Sequence, residues 1–263
     1  MLVLLTNDDG FYADGLVAVK EELAAIRGIE IYVVAPDRER SASGHAITIH
    51  RPIMVQEVNT EGTVHSWIVS GTPADCVKLA LDTLMKKAPD LVISGINRGP
   101  NVATDVFYSG TVSAALEAAM VGIPAIAISV AAWEVPEYGP AAKVAVYVSK
   151  KVLELGIPGH TLLNVNVPAL EEDQIAGFAI TRLGTRRYAN VFEKRIDPRG
   201  RVYYWMGGEA FDVDMEEGTD TWALANNLIS ITPIHCDLTA HNAIDQLKTW
   251  NMNVEDLRRS RSC

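Results

Sequence analysis

The sequence is poor in cysteine. It has three, Cys76, Cys236 and Cys263, and no Cys-x-x-Cys pair. Widely spaced thiols in odd number argue against a disulfide framework and a zinc knuckle, and fit a reducing compartment. Cys76 reads as a core residue and Cys263 as an exposed thiol. No apolar run is long enough to cross a membrane. The longest uncharged stretch, residues 118–133, falls short of the ~20 residues a span needs and is broken by Gly122 and Pro124. The apolar start at residues 1–5 stops at Thr6-Asn7-Asp8-Asp9, too soon for a signal-peptide core. Basic residues are few for the acidic load: 23 Lys and Arg against 33 Asp and Glu, a formal net charge of -10. Such a chain repels a nucleic-acid backbone unless it carries a local basic patch. The expectation is a soluble cytoplasmic protein with neither nucleic-acid polymer nor membrane as partner.

Several chemical signatures are also missing. No G-x-G-x-x-G follows the first apolar run, which disfavours a dinucleotide cofactor. No G-x-x-x-x-G-K-[ST] is present, which disfavours a P-loop NTPase. The absence of G-x-S-x-G disfavours an α/β-hydrolase. The six histidines (His45, His50, His65, His160, His235 and His241) show no metal-ligand spacing. His45 stands apart because it borders a serine-rich loop at Ser41.

What is present is a hydrophobic content of 48% in 263 residues, enough for a large core. Strand and helix signals alternate through the first two thirds. Buried strands are expected at 2–6, 29–35, 90–94, 123–130 and 161–167, and helices at 16–26, 72–87, 109–121 and 141–155. Thr72-Pro73 supplies an N-cap followed by proline in the first turn. Repeated strand–helix–strand units imply a doubly wound, mostly parallel sheet. After Pro168 the pattern changes. Residues 178–182 and 202–205 read as antiparallel strands around a charged stretch at 186–201. A short strand at 229–234 and a terminal helix at 242–250 follow.

In open α/β sheets, ligands bind beyond the carboxyl ends of the strands. Three polar clusters fall there: Asn7-Asp8-Asp9-Gly10, the 36–44 loop with Ser41, and Ser94 to Asn101. Adjacent carboxylates repel unless a cation neutralises them. Asp8, Asp9, Asn97 and the Ser41 hydroxyl make an all-oxygen set suited to Mg²⁺ or Mn²⁺. Asp-Asp-Gly is also turn composition. Tyr108-Ser109-Gly110-Thr111 opens a helix whose free N–H groups can bind phosphate. Ser109 or Thr111 can equally act as N-cap. Asn101 and Arg98 could add donors to the phosphate.

Five motifs, taken in order, resemble the SurE family of survival-protein-E nucleotidases: 6–10, 35–44, 70–76, 94–101 and 108–115, with the likeness continuing to His235. The resemblance implies a single unit over 1–263. Its Rossmann-like, three-layer core would span 1–168, and a hairpin and C-terminal oligomerisation segment 169–263. It implies a 5′/3′-nucleotidase acting on nucleoside monophosphates, in some members also an exopolyphosphatase. One divalent metal per subunit would be held by Asp8, Asp9, Ser41 and Asn97. Asp8, Asp9 and Asn97 would be catalytic, with the phosphate on Asn101, Ser109, Gly110 and Thr111. Family members are dimers or tetramers with exchanged C-terminal segments and a protruding hairpin. The basic run at 258–262 has no counterpart in the family pattern. Water is the favoured nucleophile, since the Asp-x-Asp of aspartyl-phosphate enzymes is absent. The competing reading is a nucleotide-binding regulatory module with a non-catalytic metal site. Phosphate release from AMP with Mn²⁺ separates the two.

Overall fold

The computed structural model describes residues 1–59, 62–132, 134, 137–189 and 191–255. Trp133, Cys263 and the basic run at 258–262 lie outside them.

The first strand explains the layering. β1 (Leu2–Thr6) is buried along its whole length. Successive side chains of a strand point to opposite faces, and here both faces are covered. Val3 and Leu5 join one core cluster, and Leu2 and Leu4 join the other. A continuous apolar run is what a strand covered on both sides requires.

Along the chain follow α1 (Asp14–Ala24), β2 (Glu30–Pro36), β3 (Val55–Val58), β4 (Val64–Val69) and α2 (Pro73–Leu79). Next come β5 (Leu91–Arg98), a 3₁₀ turn (Ala103–Tyr108), α3 (Gly110–Met120), β6 (Ala125–Ala131), α4 (Gly139–Leu155) and β7 (Thr161–Pro168). The C-terminal third contributes β8 (Gly177–Ile180), β9 (Arg186–Ala189), β10 (Phe192–Ile196), β11 (Val202–Met206), β12 (Glu209–Asp212), α5 (Asp220–Ala225), β13 (Leu228–His235) and α6 (His241–Lys248). The large sheet has the order β3-β4-β2-β1-β5-β6-β7-β13-β8. β4, β2, β1, β5, β6 and β7 run parallel. β3 pairs antiparallel with β4, and β13 antiparallel with β7. α1 and α4 cover one face through Leu16, Val19, Leu23, Val144 and Val148; α2 and α3 cover the other through Val77, Val112, Ala115 and Ala118.

Local chemistry sets the helix ends. Thr72 caps α2 by accepting from the Asp75 N–H at 3.1 Å, and Asp75 accepts from the Thr72 N–H at 2.8 Å. This reciprocal box is the sequence expectation at Thr72-Pro73 realised. The helix is shorter than expected: it loosens into a π turn (Ala80–Leu84), and Met85 is already extended. β5 is longer than the expected 90–94 and runs through Gly95 to Arg98, with a register shift against β6 between Ser94 and Asn97. The 178–182 region is a correction: β8 lies parallel to β13, not in an antiparallel hairpin. β11 does pair antiparallel, with β10. The charged stretch at 186–201 holds strands β9 and β10, and β9 pairs with β12. Among the described residues no helix is long and apolar enough to cross a membrane.

The C-terminal third is tied to the core at Asp220, which is 0% exposed. Its carboxylate accepts from the Ala103 N–H at 2.7 Å and from the Gly184 N–H at 2.8 Å. Two buried donors from distant segments, and the neighbouring Thr221 N–H at 2.9 Å, thus share one side chain. Asp220→Ala should lower unfolding free energy by about 2–5 kcal/mol, since each orphaned buried donor costs about 1–3 kcal/mol. Asp220→Asn, which keeps one acceptor, should lose less. Urea denaturation of both variants checks the order.

Candidate functional site at the sheet switch point

β1 leads to β2 on one side, while β5 pairs with the other side of β1 and leads away to β6. Strand order therefore reverses between β1 and β5, where a crevice forms at the carboxyl ends. Asp8 and Asp9 follow β1, and Asn97 sits in the last turns of β5.

The loop after β1 is closed by Asn7. Its side-chain amide donates to the Gly10 carbonyl at 2.9 Å and its Oδ1 accepts from the Gly10 N–H at 3.2 Å. Gly10 has φ +106, and a Cβ there would lie 3.1 Å from the Arg38 backbone. Only glycine suits that combination. The turn chemistry of Asp-Asp-Gly and its exposure to the crevice are thus one feature.

Asp8 is 4% exposed. The Thr111 hydroxyl donates to Asp8 Oδ1 at 2.6 Å. Gly110 packs against the same carboxylate: a Cβ built on it would sit 2.8 Å from Asp8 Oδ2. Asp9 Oδ2 accepts from the Arg98 N–H at 3.1 Å. The Asn97 amide donates to the Gly99 carbonyl at 2.8 Å and to the Arg98 carbonyl at 3.3 Å, so its Oδ1 remains the acceptor end. The register shift in β5 carries Asn97 to this point.

Ser41 is exposed, and its hydroxyl donates to Glu39 Oε1 at 2.7 Å. Its loop is nonetheless fixed beside the crevice. The Arg40 N–H donates to the Asp8 carbonyl at 2.7 Å, and the Gly44 N–H to the Tyr108 carbonyl at 3.0 Å. Ser109 caps α3, accepting from the Val112 N–H at 3.0 Å. Asn101 is buried and inward-turned. Its side-chain amide nitrogen donates to Ser129 at 2.8 Å and to Thr111 Oγ1 at 3.3 Å, while its backbone carbonyl accepts from the Asn164 and Asn166 side chains. It therefore reaches the crevice by holding Thr111. His45 turns away and lies 2.8 Å from Glu117 Oε1, with Lys78 on the other oxygen.

The electrostatics follow from this packing. Burial, partly offset by the Thr111 hydroxyl and raised further by the Asp9 charge, pushes the Asp8 carboxyl up to about 7. Asp9 is raised too, again first by burial, against the Arg98 amide that lowers it. Two carboxylates that both resist ionisation invite a cation. The donor set fits a hard divalent ion: carboxylate, amide and hydroxyl oxygens, in a cradle that a side chain on Gly110 would fill. Among the described residues no three His, Cys, Asp or Glu side chains converge elsewhere as a competing metal cluster.

Sequence reasoning missed Tyr138, which precedes α4 after β6. Burial first, then the nearby Asp9 charge, pushes its phenol up to about 12. It lies at a fourth strand end, so the strand-end rule was the signal that could have found it.

The family model described as Survival protein SurE matches residues 3–190. A Carboxydothermus hydrogenoformans protein named 5'-nucleotidase SurE is 53% identical over 258 residues, 97% of this chain and 98% of that relative. Another of that name, from Heliobacterium modesticaldum, is 51% identical over 254 residues, 95% of this chain and 92% of that relative. The crystal structure of the SurE protein from Aquifex aeolicus aligns at a TM-score of 0.83 and 43% identity, covering 96% of this chain and 100% of that one. Matched in sequence over nearly its whole length and in fold as well, the chain belongs to the survival protein SurE family.

Proposed function

We propose that this chain is a divalent-metal-dependent 5′-nucleotidase that hydrolyses nucleoside monophosphates to nucleoside and phosphate. The observation that carries the reading is the contact between the start of α3 and the Asp8 carboxylate, made by Thr111 and Gly110. The start of α3, whose free N–H groups suit a phosphate, thus lies beside a carboxylate pair suited to a cation. Relatives named 5'-nucleotidase at about half identity support the reaction class.

Each residue has a part. Asp8, Asp9, Asn97 and Ser41 would hold one Mg²⁺ or Mn²⁺ ion per subunit. Such an ion neutralises phosphoryl charge and acidifies water at the site. The Gly110 and Thr111 N–H groups, at the positive end of the helix dipole, bind the phosphate oxygens. The Arg98 guanidinium adds charge from the rim. Asn101 keeps Thr111 in place, and Ser109 fixes the helix start. Water, oriented by the carboxylates, attacks phosphorus in line with the leaving nucleoside hydroxyl. Such a site reads the terminal phosphoryl group, so 3′-monophosphates and short polyphosphate are also substrates.

The same reading covers the whole chain, 1–263, as one functional unit in the cytoplasm. The core of 1–168 carries the chemistry, and the segment from 169 assembles subunits into a dimer or tetramer. Supporting this, Phe192, Ile196, Tyr204, Trp205 and Met206 are all exposed on the β10–β11 hairpin, as are Ile244 and Leu247 on α6.

Asp9→Asn and Asn97→Ala should each lower kcat/KM for AMP by roughly 100-fold or more, the scale of losing a charge-stabilising group. EDTA should abolish wild-type activity and Mn²⁺ restore it. Near-normal turnover in either variant contradicts the assignment. Gly110→Ala pushes a methyl into the Asp8 carboxylate, so kcat/KM should fall by about 100-fold. Circular dichroism should still report a folded chain.

A further inference from the structure

Three large aromatic rings stand exposed next in sequence to the two segments that meet at Asp8: Tyr12 at 75%, Phe107 at 67% and Tyr108 at 66%. Tyr12 lies three positions after Asp9. Phe107 and Tyr108 immediately precede Ser109-Gly110-Thr111. Exposed rings of this size cost free energy unless something covers them, and here they flank the two segments, Asp8-Asp9 and Ser109-Gly110-Thr111, that are joined by the Thr111–Asp8 hydrogen bond.

The backbone that bears them is anchored with unusual density. In the 103–108 turn, the Ala103 N–H is held by Asp220, and the Thr104 hydroxyl donates to the Arg186 carbonyl at 2.8 Å. Asp105 receives Arg186 Nη1 at 3.0 Å and the Tyr188 hydroxyl at 2.8 Å. Arg186 is locked in turn by a two-point pair with Asp212 at 2.7 and 3.1 Å. The Tyr108 carbonyl holds Gly44. Yet among the described residues neither the Phe107 nor the Tyr108 ring has a ring partner, and the Tyr108 hydroxyl has no hydrogen-bond partner. Tyr12 is braced edge-on against Phe11, with centroids 5.1 Å apart, and Phe11 packs on the core. Rigid stalks thus carry free ring faces.

We infer that Phe107, Tyr108 and Tyr12 form the nucleobase subsite, holding the base of a nucleoside monophosphate by stacking while its phosphate sits at the start of α3. This rests on the nucleotidase reading above. The distance logic is simple: a phosphate on Gly110 and Thr111 leaves the sugar and base to extend outward over the adjacent rim. Stacking is tolerant of base identity because every base has a π-face, so the subsite accepts purines and pyrimidines. These rings act on binding and not on the phosphoryl step.

The test compares AMP with ribose 5-phosphate, which lacks a base, using the full chain with Mn²⁺. The readout is the ratio of kcat/KM for the two substrates, which does not depend on the fraction of folded enzyme. In Phe107→Ala/Tyr108→Ala the ratio should fall roughly tenfold or more, within the range of base–aromatic stacking, and the change should lie in KM for AMP. Tyr12→Ala should lower it in the same direction, while Tyr108→Phe should retain the wild-type ratio. An unchanged ratio in both alanine variants, with AMP still cleaved, overturns the stacking subsite alone. A wild-type chain that cleaves neither substrate overturns the nucleotidase reading itself, and the subsite with it.

Discussion

Asp8 and Asp9 are adjacent carboxylates, and the first is almost fully enclosed, with the Thr111 hydroxyl donating to its side chain. Burial opposes the ionisation of both, the Asp9 charge raises Asp8 further, and the Glu39 charge raises Asp9. A core that wanted only stability would place an apolar pair at the end of β1, as it does along the rest of that strand. The fold keeps this repulsion in place because the crevice between β1 and β5 is where a cation and an anion can meet. On the proposed reading, a bound ion would supply the positive charge that an acidic chain of net -10 lacks locally.

The surroundings are built around that pair. Arg40 pins the 37–44 loop to the Asp8 backbone, and Gly44 pins the same loop to Tyr108. The carboxylate of Asp220 ties the turn before α3 to the C-terminal third. Arg186 and Tyr188, on the ribbon formed by β9 and β12, grip Asp105 in that turn. Residues far beyond the sheet core thereby set where α3 begins. The C-terminal segment is part of the support of the crevice.

Much of this was legible in the sequence, for reasons that are local. The apolar run at 2–6 required a strand covered on both faces, and Thr72-Pro73 required a helix start. The strand-end rule gathers Asp8, Asp9 and Asn97 at one crevice from their order along the chain alone. What was not legible depends on pairing between distant segments. β8 lies parallel to β13 because β13 is inserted beside it, and no property of residues 178–182 states that. The edge strand β3 is short and its neighbour β4 only partly buried, so their apolar signal is weak. β5 continues through Gly95 because Gly95 and Gly15 allow close approach to β6 and α1; a Cβ at either would meet a neighbouring carbonyl at 2.3 or 2.1 Å. Asn101 has a type suited to phosphate, yet Ser129 and Thr111 hold its side-chain amide inward, and Asn164 and Asn166 hold its backbone carbonyl.

The central claim is that a divalent cation answers the repulsion between Asp8 and Asp9, and thermal unfolding tests it most directly. Without metal, Asp9→Asn should melt at or above the wild-type temperature, because one repelling charge is gone. Adding Mn²⁺ should raise the wild-type Tm progressively with concentration, as binding to the native state requires, and should leave Asp9→Asn nearly unmoved. A wild-type Tm indifferent to Mn²⁺, or an equal rise in Asp9→Asn, would contradict the account.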